Sequence, residues 1–161
     1  MPTINTPGSA HVAPAPNSGF RWLAYEDDNK LKKALQDAFF IIQNNIRGMR
    51  PCNKCFKALP GGKSFDDVWD DATVFVSFDP QGKGGTFGAT LGKDVTITAF
   101  SLRMGRWTTA ATLVHELAHV TQYNTWGTVG FLAQYGAWAA EYGYRYNPFE
   151  LAARDFAGQP Y

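Results

Sequence analysis

Two histidines and a glutamate stand together in the segment His115-Glu116-Leu117-Ala118-His119. Residues four apart on an α-helix lie about 40° apart around its axis, so both imidazoles leave the same face and can bind one Zn²⁺. Glu116 projects about 100° from His115, where its carboxylate can act as general base on a water acidified by the metal. The chain has only three histidines, and two of them lie in this pattern. The segment therefore predicts a catalytic zinc centre with one ion per chain.

The third protein ligand of such a centre has to be a carboxylate, because no third histidine follows His119. The candidates are Glu141, Glu150 and Asp155. Glu150 stands three residues after Asn147, so it can equally be the glutamate of a capping box, a role that needs no metal. The residues alone leave these alternatives open.

The motif, with Gln122-Tyr123 after it, resembles the active-site helix of gluzincin-type zinc metallopeptidases. It is most similar to the minimal mini-zincins, which are related to domains that occur with contractile injection systems. In that family an aromatic-rich helix is followed by a short helix whose glutamate binds the metal. The segment Asn147-Pro148-Phe149-Glu150-Leu151-Ala152-Ala153 matches that pattern. The resemblance covers about residues 94–157. It implies a zincin-like fold and a peptide or protein substrate, with Glu150 as third zinc ligand and Glu116 as general base.

Periodicity divides the chain into a helix, then strands, then helices, which is the order of an α+β domain. We predict a helix over 27–49 capped by Asp27 and Asp28, a loop over 50–65, strands over 73–78, 86–91 and 94–100, and helices over 108–123, 128–142 and 148–157. By the same resemblance, strand 94–100 is the sheet edge on which an extended peptide lies. Aromatic residues recur on one face of helix 128–142, a pattern typical of core packing. They are Phe131, Tyr135, Trp138 and Tyr142.

The composition favours neither a nucleic-acid nor a membrane partner. Fifteen basic residues stand against fourteen acidic ones, and they are scattered along the chain, so we expect no nucleic-acid binding. No apolar run approaches the roughly 20 residues that span a bilayer. Residues 1–18 lack the charged start and apolar stretch of a signal peptide, and we expect a flexible tail before a single domain over 19–161. The compartment stays open, with export by a non-classical route as one option.

Two further features leave alternatives open. Cys52 and Cys55 form a lone C-x-x-C, which could be a local disulfide, a pair of reduced thiols, or a redox or metal site. The alternative for the whole chain is a zinc-binding but non-catalytic module with a binding or assembly role, because 161 residues leave room for only a minimal cleft. Glu116 argues against that alternative, because a purely structural site has no use for its carboxylate.

Overall fold

A mixed sheet lies against helices in the computed structural model, which describes residues 3–5, 21–22, 29–59, 62–78 and 87–157. The elements in chain order are strands β1 (Thr3–Asn5) and β2 (Arg21–Trp22), helices α1 (Asn29–Asn45), α2 (Arg50–Ala58) and α3 (Phe65–Asp71), strands β3 (Thr73–Phe78), β4 (Gly88–Leu91) and β5 (Asp94–Thr98), and helices α4 (Ala99–Arg103), α5 (Arg106–Tyr142) and α6 (Pro148–Ala157). The predicted α+β class is confirmed. Among these described residues, no helix is long and apolar enough to cross a bilayer.

The sheet runs in the order β1-β3-β5-β4, with β2 paired to the far end of β3. Strands β3 and β5 are parallel, with Val74 opposite Val95. Strands β4 and β5 form an antiparallel hairpin across Gly92-Lys93. Strand β5 therefore lies inside the sheet and β4 at its edge, so the expectation that strand 94–100 forms the edge is wrong. A two-residue turn forces β4 to pair beside β5, on the side that β3 leaves open.

One hydrophobic core joins α1, α3, the sheet and the first half of α5. Helix α1 buries its apolar face there, including Leu35 and Ile42, which are fully buried. Helix α5 contributes its own apolar stripe, namely Ala110, Leu113, Leu117 and Val120. Burying a Leu, Val or Ile side chain stabilises a fold by about 1.5–3 kcal/mol. This burial sets the rotation of α5 and turns the opposite, polar stripe of the helix away from the core. That stripe consists of Thr108, Thr112, His115, His119 and Gln122.

The expectation of a loop over 50–65 is wrong for most of its length, because α2 occupies Arg50–Ala58. Pro51 lies in the first turn of α2, where a missing N–H removes no helical hydrogen bond. Phe56 is buried edge-on against Phe65 of α3, with ring centroids 5.0 Å apart. Tertiary packing of this aromatic pair holds a helix that Pro51 and the nearby glycines made difficult to predict.

The helices predicted over 108–123 and 128–142 are both present, as two helical segments of α5 that meet in a bend at Gly127, where the backbone is not helical. Gly127 has φ 71° and ψ 161°, a conformation that side-chain-bearing residues rarely adopt. The bend brings the two halves of α5 together. The ring centroids of Tyr123 and Phe131, which lie on either side of it, are 4.0 Å apart. Phe149 of α6 packs into the same aromatic cluster, 4.7 Å from Phe131. The bend therefore brings α6 close to the histidines.

Several predicted boundaries shift or lie beyond the described residues. Strand β5 ends at Thr98, because the Thr98 hydroxyl caps α4 by accepting from the N–H of Ser101. Strand β1 takes Thr3–Asn5 of the predicted tail into the sheet, parallel to β3, whereas residues 6–18 lie outside the described residues. The predicted caps of α1, Asp27 and Asp28, also lie outside them.

Cys52 and Cys55 lie on α2 as free thiols. Cys52 packs partly against the core and Cys55 is exposed. Burial raises the pKa of the Cys52 thiol, and the neighbouring Cys55 and Asp66 raise it further. Reactive cysteines need a lowered pKa. The environment of Cys52 therefore favours a reduced, unreactive thiol.

Candidate metal centre

Three buried side chains converge on one point between α5 and α6. His115 and His119, one turn apart on α5, are 8% and 5% exposed, and Glu150 in the first turn of α6 is 4% exposed. The Nε2 atom of His115 lies 3.1 Å from Nε2 of His119 and 3.0 Å from Oε2 of Glu150. The Oε1 atom of Glu150 lies 3.2 Å from Nε2 of His119. These three residues form a group that could hold a metal ion.

The geometry of this group fits a small tetrahedral ion. A tetrahedral zinc ion with bonds of about 2.0–2.1 Å holds its ligand atoms about 3.3 Å apart. Here the Nε2 atoms of the two histidines lie 3.1 Å apart, and each lies close to a different carboxylate oxygen of Glu150, at 3.0 Å for His115 and 3.2 Å for His119. Each imidazole nitrogen carries either a proton or a lone pair and the carboxylate oxygens carry lone pairs, so either protons or a metal ion can join these atoms. Two histidines and one carboxylate are also a donor set that zinc accepts.

Glu150 is the carboxylate in this group, whereas Glu141 and Asp155 are exposed and lie outside it. Asn147 is fully buried and caps α6, because its Oδ1 accepts from the N–H of Phe149 at 3.0 Å. The carboxylate of Glu150 faces the two histidines, so of the alternatives left open above, the structure brings Glu150 to the motif.

In the metal-free group, protons on the histidines supply the positive charge that balances the carboxylate of Glu150. Burial lowers the pKa of His119, but its hydrogen bond to Glu150 and the charges of Glu116 and Glu150 outweigh burial and raise it to about 9. Burial likewise raises the pKa of Glu150, but hydrogen bonds from His115 and His119 outweigh it and hold that pKa well below its ordinary value. A charged His119 facing a charged Glu150 is therefore the metal-free state at neutral pH.

Glu116 lies beside the group on the same helix and is also buried, at 5% exposure. The hydroxyl of Thr90 on β4 donates to its Oε2 atom at 2.5 Å. Strand β4 approaches α5 closely here, because a Cβ added to Gly88 would lie 3.2 Å from Cγ of Glu116. The edge strand of the sheet and Glu116 are thus in direct contact.

Three partners of the site were not assigned by sequence reasoning. Tyr135 donates its hydroxyl to Oε1 of Glu150 at 2.9 Å, and Thr90 holds Glu116. Oε1 of Gln122 lies 2.7 Å from Nδ1 of His119. Gln122 shares the polar stripe of the histidines, and this was a usable signal. Tyr135 lies in an aromatic stripe that indicated only packing, and nothing in the local pattern pointed to Thr90.

Tyr135 also contacts the residue that caps α6. The Asn147 amide donates to the backbone carbonyl of Tyr135 at 3.1 Å. Burial, followed by the charge of Glu150, raises the pKa of the Tyr135 hydroxyl. The hydroxyl therefore stays protonated and remains a donor to Glu150 across the physiological range.

No protein family, no characterised protein and no solved structure matches this chain. The chemistry open to the site therefore has to follow from the geometry of its own residues.

Proposed function

We propose that the chain is a zinc-dependent hydrolase that acts as a peptidase. Its two histidines and Glu150 bind one zinc ion, and Glu116 is the general base. The observation that carries this proposal is the convergence of two buried histidines of α5 with the buried Glu150 of α6, beside a second buried carboxylate, that of Glu116. Three protein ligands leave a zinc ion one position for water or substrate, which is the arrangement of catalytic rather than structural sites.

The residues of the chain divide the work of hydrolysis. When bound, zinc is a Lewis acid that acidifies water and polarises a carbonyl group. Glu116 accepts the proton of the attacking water and returns it to the leaving amine. The Thr90 hydroxyl donates to Oε2 of Glu116, so it orients the carboxylate and leaves Oε1 for the water. Tyr135 orients Glu150 in the same way.

The edge strand β4 supports an extended peptide as the substrate. The N–H of Thr98 donates to the carbonyl of Phe87, and bonding alternates along an antiparallel pair. The backbone groups of Gly88 and Thr90 consequently point away from β5, towards an edge that no described strand covers. Thr90 is also the residue that contacts Glu116. A peptide pairing with β4 would therefore lie next to the general base.

The first test is zinc content by elemental mass spectrometry on the wild type and on Glu150→Ala. Glu141→Ala is the matched control, because Glu141 is an exposed glutamate outside the group. We expect one zinc ion per chain in the wild type and in Glu141→Ala, and loss of the ion from Glu150→Ala. A wild type that takes up no zinc after the metal is added back would overturn the proposal. Equal zinc in Glu150→Ala would overturn the ligand assignment.

The second test separates catalysis from metal binding. Glu116→Gln keeps the size of the side chain, so we expect full zinc content together with loss of hydrolysis of a fluorescently labelled unfolded protein. Full activity in Glu116→Gln would exclude its role as base. A wild type that holds one zinc ion but cleaves no peptide would instead support the non-catalytic binding module.

A further inference from the structure

Gln122 lies between the two helices that carry the ligand atoms. It is three residues after His119 on α5, and its Oε1 atom is 2.7 Å from Nδ1 of His119. Its Nε2 atom donates to the backbone carbonyl of Phe149 at 3.0 Å. Phe149 directly precedes Glu150 on α6. One side chain therefore touches one ligand and the residue adjoining another.

The hydrogen-bond partners determine the orientation of the Gln122 amide. A backbone carbonyl only accepts, so the atom that faces Phe149 has to be the NH₂ group. The atom that faces His119 is then the amide oxygen, which also only accepts. Nδ1 of His119 therefore carries a proton. In the neutral ring the other nitrogen, Nε2, is left with a free lone pair, and it is Nε2 that points to His115 and Glu150.

The second bond of Gln122 acts on the position of α6. Asn147 ties the start of α6 to Tyr135, which lies after the bend at Gly127. Gln122 lies before that bend, in the half of α5 that carries the histidines. Its bond to Phe149 therefore fixes the start of α6 relative to the histidines themselves.

We propose that Gln122 is a positioning residue of the metal centre. It holds His119 in the form whose Nε2 is free to ligate, and it holds α6 so that Glu150 meets the histidines. The inference rests on the proposed zinc site, although Gln122 itself is placed to touch neither the ion nor a substrate. Outer partners of metal ligands typically change metal affinity by about 10- to 100-fold when they are removed.

The test compares three variants. Gln122→Met keeps the length of the side chain and removes both hydrogen bonds, and Gln122→Glu keeps an acceptor for His119 but loses the donor to Phe149. Gln134→Met is the matched control, since it makes the same change at a similarly half-buried position of α5. Zinc affinity is measured by competition with a chromophoric chelator. The protonated ring nitrogen of His119 is identified by nitrogen NMR on metal-free protein, above the pKa of His119.

We expect Gln122→Met to bind zinc about 10- to 100-fold more weakly than the wild type, with Gln134→Met unchanged. In the metal-free protein the wild type and Gln122→Glu carry the neutral-ring proton on Nδ1, and Gln122→Met shows the Nε2–H form as well. Equal zinc affinity in Gln122→Met and Gln134→Met would overturn the proposal. A neutral His119 ring protonated on Nε2 in the wild type or in Gln122→Glu would also overturn the proposal. The result for Gln122→Glu takes the place of that for Gln122→Met if Gln122→Met does not fold. A wild type that binds no zinc defeats the proposed function, whereas the ring measurement still decides the role of Gln122.

Discussion

Gly88 of strand β4 lies against helix α5. A Cβ at this position would lie 2.9 Å from the backbone oxygen of Thr96, 3.1 Å from Cγ2 of Thr112 and 3.2 Å from Cγ of Glu116. The first contact is with backbone, which cannot rotate away as a flexible side chain can. Gly88→Ala therefore has to push β4 away from its neighbours. Forcing an extra methyl group into a packed interior typically costs about 1–3 kcal/mol of unfolding free energy, and we expect a loss in that range.

The matched control is Gly136→Ala, the same chemical change in the exposed second half of α5. No atom lies within 4 Å of a Cβ built there, so the substitution adds no clash. Alanine is favoured over glycine inside a helix by about 1 kcal/mol. Gly136→Ala should therefore stabilise the protein. The two variants differ in the sign of their effect and not only in its size.

Urea unfolding of the metal-free wild type and both variants measures these changes, provided that the dependence on urea concentration is the same in all three. Because Gly88→Ala also displaces β4 from Glu116, we expect peptide hydrolysis to fall further than the loss of folded protein explains. If Gly88→Ala proved as stable as the wild type, the close approach of β4 to α5 would be refuted. The argument that the sheet edge adjoins the general base would then fail as well.

Three further predictions concern the partners of the ligand group. Tyr135→Phe removes a donor to Glu150 and should weaken zinc binding about tenfold in a chelator competition; unchanged affinity would show that Glu150 needs no such partner. Thr90→Val keeps the side-chain shape but loses the bond to Glu116, so hydrolysis should fall at constant zinc content, and equal rates would remove Thr90 from the site. The pKa of His119 is raised from about 6.5 to about 9 in the metal-free protein. The ion pair of His119 with Glu150 therefore contributes its full stabilisation below about pH 6.5, and this contribution is lost as the pH rises through 9. Thermal unfolding in chelator should show this decline, and Glu150→Gln should flatten it.

Local patterns were sufficient for the histidine helix. The spacing of the motif places both imidazoles on one face, and the apolar stripe opposite them is buried. The bounds of β3 and of α6 also agree with the sequence prediction, because β-branched and aromatic runs favour strands and Asn147-Pro148 starts a helix. Such signals act between residues that are close along the chain.

Local patterns were insufficient where packing outweighed them. The glycines and Pro51 predicted a loop, yet α2 forms because Phe56 finds Phe65 of the next helix. The edge of the sheet was assigned to the wrong strand for a related reason. Alternation of side chains identifies a strand, but its neighbours on either side depend on the pairing of the whole sheet.

For the candidate metal centre too, one part could be predicted from the sequence and the other part depended on the tertiary structure. Residue types and helical spacing were enough to place His115 and His119 on one helix face with Glu116 beside them, since all three lie within two turns of one helix. The choice of Glu150 over Glu141 was made by the bend at Gly127 and by the aromatic packing of Phe149, which carry the start of α6 to the histidines. The position of Glu150 relative to the histidines depends on contacts between residues far apart in the chain, and no local periodicity predicts it. The bond of Tyr135 to Glu150 and that of Gln122 to Phe149 became visible only once the two helices were in contact.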